Sequence, residues 1–327
     1  MSNSNVAVQL IDSVLPHPNA DRLDTVEVSG YTLVVQKGSF KVGDLCVYFP
    51  PDNLIPESVA TALGVVAYLK HAVYPGDSGV SKCRIGAARL RGVSSFGFAI
   101  KCAEGEVGED RNEAYQVKRY EPPIKAQQGQ QSRNQHPKLF RYTDIENVQR
   151  HSYLIPEGTP VIYTEKIHGA NCRVGVLDGE IVAGSHNVQI ASGSDSIYWS
   201  PLPVCQALLN DAKEDGLDLI IYGEVFGPGV QDLHYDAEGV QFRCFDISAN
   251  GNYLPALVVM NLCKVYGIPM VPVLGTGPFS REKLAELTDG KSTLAGHIRE
   301  GVVVKALEES TPRRILKSVS VDYLSRN

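Results

Sequence analysis

The sequence is short of several things, and each shortage narrows what the chain can be. Its seven cysteines, Cys46, Cys83, Cys102, Cys172, Cys205, Cys244 and Cys263, are odd in number and widely spaced, with no C-x-x-C pair. That spacing argues against a disulfide framework and against a cysteine-rich zinc site, and it fits a reducing, cytoplasmic compartment. No apolar run approaches the roughly 20 residues that span a bilayer. The polar start, Met1 to Asn5, lacks the basic-then-apolar order of a secretory signal. The expectation is a cytoplasmic chain with no membrane partner. Its eight histidines show no H-E-x-x-H or paired metal spacing. Gly290-Lys291-Ser292 ends like a P-loop, but the glycine such a loop needs at position 285 is Ala285. Gly275-Thr276-Gly277 lacks the third glycine of a dinucleotide fingerprint. A basic excess is missing too: 31 Lys and Arg stand against 37 Asp and Glu, a net charge of −6. Proteins that bind nucleic acid tightly and without sequence preference are usually basic. A polynucleotide partner would therefore need a local basic groove on an acidic protein.

What is present is ordinary in bulk. With 327 residues, 43% hydrophobic and 21% charged, the composition is that of a globular chain of two domains. Residues 1–121 form the first. Val6–Val14, Thr25–Val28, Tyr31–Gln36, Leu45–Phe49 and Phe96–Lys101 are short β-branched or aromatic runs separated by turn residues such as Pro16-His17-Pro18-Asn19 and Ser29-Gly30. Close-set short strands indicate a small all-β barrel. The stretch 122–135, with Pro122-Pro123 and several glutamines, reads as a linker. Residues 136–327 form the second domain. Val161–Thr164, Cys172–Leu177, Leu219–Phe226, Gln241–Ile247 and Val302–Leu307 pattern as strands. Val204–Glu214, Ala256–Tyr266 and Arg281–Leu287 pattern as helices. The two kinds do not alternate strictly, which points to an α+β domain.

The chemistry-bearing residues lie in the second domain. Thr164-Glu165-Lys166-Ile167-His168-Gly169-Ala170-Asn171 puts a lysine at the end of a strand, with glycine three residues later. Alone, this also reads as a lysine reaching to water beside a turn. Downstream, Tyr222-Gly223-Glu224-Val225 sets one carboxylate in an apolar strand. Phe242-Arg243-Cys244-Phe245-Asp246-Ile247 pairs an aromatic with an aspartate. Arg299-Glu300-Gly301-Val302-Val303-Val304-Lys305 places a carboxylate before a β-branched run and a lysine, and Arg314-Ile315-Leu316-Lys317-Ser318-Val319 closes the set. Each piece alone is a solvated strand end; their order and spacing together are distinctive.

That ordered set resembles the covalent nucleotidyltransferases: ATP-dependent DNA ligases, RNA ligases and mRNA capping enzymes. Lys-x-His-Gly-x-Asn looks like the RNA ligase branch. Pro16-His17-Pro18-Asn19-Ala20-Asp21-Arg22-Leu23, Val34-Val35-Gln36-Lys37-Gly38 and Val42-Gly43-Asp44 look like an OB-type barrel ahead of the ligase domain. This is the architecture of the RNA ligases that seal nicks with an RNA 3′-OH end. The resemblance implies ATP, a Mg²⁺ or Mn²⁺ ion, an RNA or RNA-containing nicked duplex as partner, and a monomer. It implies Lys166 as the nucleophile that takes AMP. Glu165, Asn171, Arg173, Phe245, Lys305 and Lys317 become nucleotide contacts, with Phe245 stacked on adenine and the two lysines as point charges at the α-phosphate. Glu224 and Glu300 become outer-sphere holders of the hydrated metal ion. His168, His186, Arg150 and Arg314 are secondary candidates.

Two departures from the family pattern stand out. His186 occupies a place where a basic residue is common, and Val319 stands where a second lysine usually follows the first, which leaves Arg313 or Arg314 to supply the missing charge. A lysine with an ordinary pKa of about 10.4 is neutral in roughly one molecule in 2,500 at pH 7, so the nucleophile needs a nearby cation or desolvation. Two alternatives remain open. One is a non-catalytic RNA-binding protein, because His17-Pro18-Asn19-Ala20-Asp21-Arg22-Leu23 also resembles OB-type tRNA-binding modules. The other is a DNA ligase. A basic face of Lys37, Lys41, Lys70, Lys82, Arg84, Arg89 and Arg91 on the first domain would serve either nucleic-acid reading.

Overall fold

The computed structural model describes residues 5–120, 134–193 and 195–326, without the side chains of Arg150 and Ser325. The expected linker lies outside the described residues as far as position 133. Contacts divide the chain into two compact units, Met1–Pro122 with Leu324–Asn327, and Pro123–Tyr323.

The first unit is built from β1 (Ala7–Leu10), β2 (Ser13–Pro16), β3 (Leu23–Val28), β4 (Tyr31–Gln36), β5 (Leu45–Phe49), β6 (Asn53–Leu54), β7 (Lys70–Val73), β8 (Val80–Ile85), β9 (Ala87–Leu90), β10 (Val93–Phe96), β11 (Phe98–Lys101) and β12 (Lys118–Arg119), with one short helix, α1 (Glu57–Ala62). The strands form small antiparallel sheets ordered β1-β5-β11, β2-β3-β4, β10-β9 and β12-β6-β8-β7. Alternating side chains fill two cores. One gathers Val6, Val8, Val47, Phe49 and Ile85, the other Ile11, Val26, Val28, Leu33 and Tyr48. The expected single strand Val6–Val14 is two strands in different sheets. At the break the Ile11 amide donates to Asp44 and the Asp12 amide to Glu27, while the Asp12 carboxylate accepts from the Ser29 amide at 2.9 Å. The chain is thereby turned from one sheet into the next.

The second unit has two sheets. Its strands are β13 (Glu146–Asn147), β14 (Pro160–Lys166), β15 (Ala170–Leu177), β16 (Glu180–Ser185), β17 (Gln189–Ile190), β18 (Leu219–Phe226), β19 (Gln241–Ala249), β20 (Asn252–Tyr253), β21 (Val273–Pro278), β22 (Gly301–Ala306) and β23 (Ile315–Val319). Its helices are α2 (Val148–His151), α3 (Leu202–Glu214), α4 (Ala256–Tyr266), α5 (Arg281–Thr288) and α6 (Val321–Ser325). One sheet runs β13-β23-β22-β14-β21, the other β17-β16-β15-β18-β19-β20. α4 ends where Gly267 takes a left-handed φ of 67°, and α5 begins where the Ser280 hydroxyl accepts from the Lys283 amide.

The β-period decides which faces meet. Cys172, Val174, Ile221 and Cys244 point to one side of the six-stranded sheet and pack against Cys205, Leu208 and Leu209 of α3 and Val259 of α4. The opposite side carries Ile220 and Tyr222. These pack with Leu139, Tyr142 and Ile315, the last from the five-stranded sheet. The outer side of the five-stranded sheet, through Tyr163, Val304 and Leu316, is covered by Leu284 of α5 and by Phe279. The faces that look toward each other across the second unit are therefore the ones that carry the polar motif residues.

Candidate functional site

Three expected lysines share one sheet face. Directly paired residues of an antiparallel sheet, and every second residue along a strand, point the same way. Lys166 on β14 pairs with Gly301 on β22, which pairs with Val319 on β23. Two residues along, Thr164 pairs with Val303 and Val303 with Lys317; two further, Ile162 pairs with Lys305 and Lys305 with Ile315. Lys166, Lys305 and Lys317 thus stand on one face, and it is the face that Ile315 turns toward the other sheet. The Glu300-Gly301 step is tight: at φ 156° a Cβ on Gly301 would fall 2.1 Å from the Ser318 carbonyl oxygen, so only glycine fits.

The six-stranded sheet answers with a row of its own. Asn171, Glu224 and Arg243 are directly paired across β15, β18 and β19. Gly169 lets the Lys166 strand end approach this sheet, because a Cβ there would lie 2.3 Å from the Val225 carbonyl oxygen and 2.9 Å from Glu224 Cγ. Lys166 Nζ lies 2.6 Å from Glu300 Oε1. Burial pushes the Glu224 carboxyl up to about 8, against the opposing pull of Lys166, and the charge of Glu300 adds to the rise. Lys166, Glu224 and Glu300 therefore form one electrostatic group. Asn171 Oδ1 is buried with no hydrogen-bond partner among the described residues.

Phe245 owes its position to a β-bulge. Tyr222 pairs with Asp246 and Gly223 with Cys244, so Phe245 is the extra residue of β19. The half-buried ring borders both the cluster around Ile167 and the cluster around Ile315, and it stands edge-on to Tyr142 at 4.8 Å between centroids. That leaves an aromatic surface between the lysine turn and the sheet bearing Lys305.

Several expected contacts are corrected. Glu165 lies on the far face of its strand from Lys166 and is fully enclosed. Its carboxylate accepts from Ser292 Oγ at 2.5 Å and from the amide and hydroxyl of Thr293 at 2.8 and 2.7 Å. It anchors the 292–293 turn, so the expected adenine contact does not hold for this side chain. Arg173 is 1% exposed and donates to the carbonyl oxygens of Ser185, Leu139 and Phe140. It pins the 139–140 segment to the sheet and is not placed to meet a ribose or phosphate. Burial lowers it to about 10. Arg314 is exposed and joins none of these groups. Its neighbour Arg313 enters the interior instead, donating to Asp246 Oδ2 at 2.8 Å and lying 3.6 Å over the Tyr253 ring.

Lys305 donates to Asp246 Oδ1 at 3.0 Å, and Tyr142 donates to Asp246 Oδ2 at 2.8 Å. Asp246, fully buried, is the counter-charge for both Lys305 and Arg313. Lys317 is half-buried on β23 beside Asn147 of β13. His186 sits in the turn between β16 and β17. The side chain of Arg150 lies outside the described residues.

His168 is held on three sides. Its Nε2 is 2.6 Å from Asp232 Oδ1 and its Nδ1 is 2.7 Å from the Tyr323 hydroxyl, while its backbone amide donates to the Tyr235 hydroxyl. Glu300 Oε2 is 4.0 Å from its Nδ1. Nothing in the sequence pointed to Tyr142, Asp232 or Tyr323, whereas Asp246 stood out in the Phe242–Ile247 run and Arg313 beside Arg314.

In the first unit the motif at His17 is used internally. Its Nδ1 accepts from the Asn19 amide, its Nε2 faces the Leu90 carbonyl at 3.1 Å, and the Asn19 side chain donates to the Arg91 carbonyl. The motif clamps two turns together. Of the expected basic face, Lys37, Arg89 and Arg91 are exposed on or beside these turns, with the Lys37 amide donating to the Arg22 carbonyl. Lys70 instead pairs across the sheet with Arg84, which is bonded to Asp52 and lies over the Tyr120 ring. Lys70, Lys82 and Arg84 lie on a different sheet from Arg89 and from the strand that Lys37 follows.

Comparison with known proteins agrees with this architecture. Residues 159–319 match the family model described as RNA ligase, and residues 5–101 match one described as an OB-fold domain. No curated protein matches. Among solved structures, the chain is similar to Naegleria gruberi RNA ligase in several states. A lysine-to-alanine variant with ATP and Mn is 25% identical, with 98% of each chain covered and a TM-score of 0.83. A glutamate-to-alanine variant with AMP and Mn gives the same identity, coverage and TM-score. The enzyme with pyrophosphate is 25% identical over 98% of each chain, with a TM-score of 0.82. Among the described residues, no helix is long and apolar enough to cross a membrane.

Proposed function

We propose, for a chain that is an ATP-dependent RNA ligase by its catalytic domain, its OB-fold domain and its structural relatives, that Lys166 carries AMP between ATP and an RNA 5′-phosphate, and that the physiological substrate is a nick whose 3′-OH strand is RNA. The domain division in this reading is 1–121, 122–135 and 136–327, and the enzyme acts as a monomer in the cytoplasm.

The observation that carries the mechanism is Lys166 on a strand end, 2.6 Å from Glu300 and coupled in charge to Glu224. In the first step Lys166 Nζ forms a bond to the α-phosphorus of ATP and pyrophosphate leaves with the electrons of the broken P–O bond. In the second an oxygen of the RNA 5′-phosphate attacks the same phosphorus and Lys166 leaves. In the third the 3′-OH attacks the adenylylated 5′-phosphate, AMP leaves, and a phosphodiester is formed. Lys305 and Lys317, on the same face as Lys166, neutralise phosphate oxygens in this reading, and such transfers depend mostly on position and charge. Phe245 offers its ring to adenine. Asn171 offers its unpartnered Oδ1 to a ribose hydroxyl.

The two carboxylates fit a hydrated Mg²⁺ or Mn²⁺. Among the described residues no group of three or more Asp, Glu, His or Cys is gathered to ligate a metal directly. A pair of carboxylates suits an ion that keeps most of its waters. Glu224 and Glu300 would hold it, and when bound it supplies positive charge at the phosphate oxygens and favours a neutral Lys166.

The test is incubation of the purified chain with α-labelled ATP and Mg²⁺ or Mn²⁺, with no nucleic acid. The expected result is covalent label on the wild type and none on Lys166→Ala. Absence of label on folded, AMP-free wild type with either metal would overturn the reading.

A further inference from the structure

The row that carries Asn171 and Glu224 ends in an arginine with nothing to hold. Arg243 is half-buried, its Nε is fully enclosed, and it makes no hydrogen bond or ion pair among the described residues. Arg84, Arg111, Arg299, Arg313 and Arg326 also have an enclosed nitrogen without a partner among the described residues. The first four, however, use their other nitrogens on a carboxylate or a carbonyl oxygen, and Arg326 is engaged elsewhere. A half-buried guanidinium with no acceptor is costly, because its charge has lost water and gained nothing in exchange. It is the second unpaired polar group of that row, the first being Asn171 Oδ1. An acceptor and a donor left open on either side of Glu224, on the sheet face that looks toward Lys166, describe a surface that a polar ligand completes.

The five-stranded sheet gives the reason for a cation there. The row of Lys166 and Gly301 ends at Val319, an apolar side chain on the lysine-bearing face. That row therefore offers no cation besides Lys166. We infer that Arg243 is a phosphate-binding residue of this site, supplying from the six-stranded sheet a positive charge that position 319 does not supply from the five-stranded one. The ligand chemistry is a phosphate oxygen pair, which a planar guanidinium meets with two parallel N–H donors. Phosphate reaches the site from two sources in the proposed reaction, the triphosphate of ATP and the 5′-phosphate of the RNA end. The inference rests on that reaction and adds to it a contact on β19.

The experiment compares wild type, Arg243→Met and Arg243→Lys as full chains. Met keeps the apolar stem and removes the charge; Lys restores a point charge. Thermal melting checks that both variants fold as the wild type does. One arm follows labelling of Lys166 against ATP concentration. The other starts from pre-adenylylated enzyme and follows AMP transfer to a 5′-phosphorylated nick against nick concentration. Loss of a charged hydrogen bond of ordinary strength predicts a drop of about 10- to 100-fold in kcat/KM in at least one arm for Arg243→Met. Arg243→Lys is expected to recover part of it. A raised KM for ATP assigns the nucleotide phosphates, and a defect confined to transfer assigns the RNA 5′-phosphate. Arg243→Met within about twofold of wild type in both arms, or impaired only in step with a lowered melting temperature, overturns the inference and leaves Arg243 a packing residue. Failure of the wild type to label Lys166 overturns the ligase mechanism itself, a separate result.

Discussion

Lys166 Nζ lies 2.6 Å from Glu300 Oε1, and Glu300 is joined to Gly301, whose glycine-only backbone pairs directly with Lys166. The register of two strands thus delivers the carboxylate to the lysine, with no flexible loop between them. Replacing Glu300 by Ala leaves that register intact, because the residue that needs its special geometry is Gly301. The expected outcome is a folded protein whose lysine adenylylation falls by about 100-fold or more, as for other losses of a positioned charge near a reacting phosphate. Label incorporation from α-labelled ATP measures it, with the melting temperature as control. A rate close to wild type would remove Glu300 from the first step.

Glu165 sits next to Lys166 in sequence and on the opposite side of the sheet in space. Glu165→Ala strips three hydrogen bonds from Ser292 and Thr293 and is expected to lower stability by about 1–3 kcal/mol, the usual cost of stranding enclosed polar groups. The preference for ATP over GTP in the labelling reaction should stay as it is in the wild type. A lost preference with an unchanged melting temperature would restore the adenine contact that the adjacent sequence position implies.

Asp246 makes a sharper stability prediction, because it balances two cations. Asp246→Asn leaves Lys305 enclosed without its counter-charge and Arg313 with Glu309 alone, and breaking a buried ionic group typically costs about 3–5 kcal/mol. Lys305→Met removes one cation and leaves Asp246 still bonded to Arg313 and Tyr142, so its effect on stability should be the smaller of the two. Its effect on lysine adenylylation should be the larger relative to its effect on folding. Thermal melts and label incorporation on the same preparations check both orderings. A Lys305→Met protein less stable than Asp246→Asn would mean that Arg313 and Tyr142 do not suffice for Asp246.

How much of this was legible in the sequence follows from what each feature depends on. Leu219–Phe226 and Ala256–Tyr266 were read with the bounds the structure gives them, since long apolar or amphipathic runs carry their own period. The lysine and carboxylate positions were legible because they sit at strand ends in a fixed order. The opposite facings of Lys166 and Glu165 follow from the two-residue period of a strand, but which face is the cleft depends on packing by Tyr222 and Ile315, far away in the chain. The partners of Asp246 could not be read at all: Tyr142 is 104 residues away and Arg313 is 67. Phe245 and Asp246 both owe their facing to a bulge that no local pattern announced. In the first unit, β6 and β12 are two residues each, too short to show any period.

The His17 clamp has a consequence for how the OB-fold domain meets RNA. Because His17 and Asn19 tie their turn to the carbonyls of Leu90 and Arg91, and Lys37 is bonded through its amide to Arg22, the exposed cations Lys37, Arg89 and Arg91 are carried on turns linked by hydrogen bonds to backbone carbonyls. Lys70 and Arg84 are elsewhere, one beside the other on a separate sheet. If the linked turns grip a phosphate backbone, the triple replacement of Lys37, Arg89 and Arg91 by Ala should weaken nick binding and flatten its salt dependence. Each lost phosphate contact lowers the slope of log affinity against log salt by about 0.9 on duplex DNA and about 0.7 on single strands. Labelling of Lys166 from ATP alone should be untouched, because that step involves no nucleic acid. Binding titrations at several salt concentrations, run beside the labelling assay, separate the two. An unchanged slope with unchanged nick affinity would assign these cations to ordinary solvated surface, and equal losses of labelling and binding would point to a folding defect in place of a lost contact.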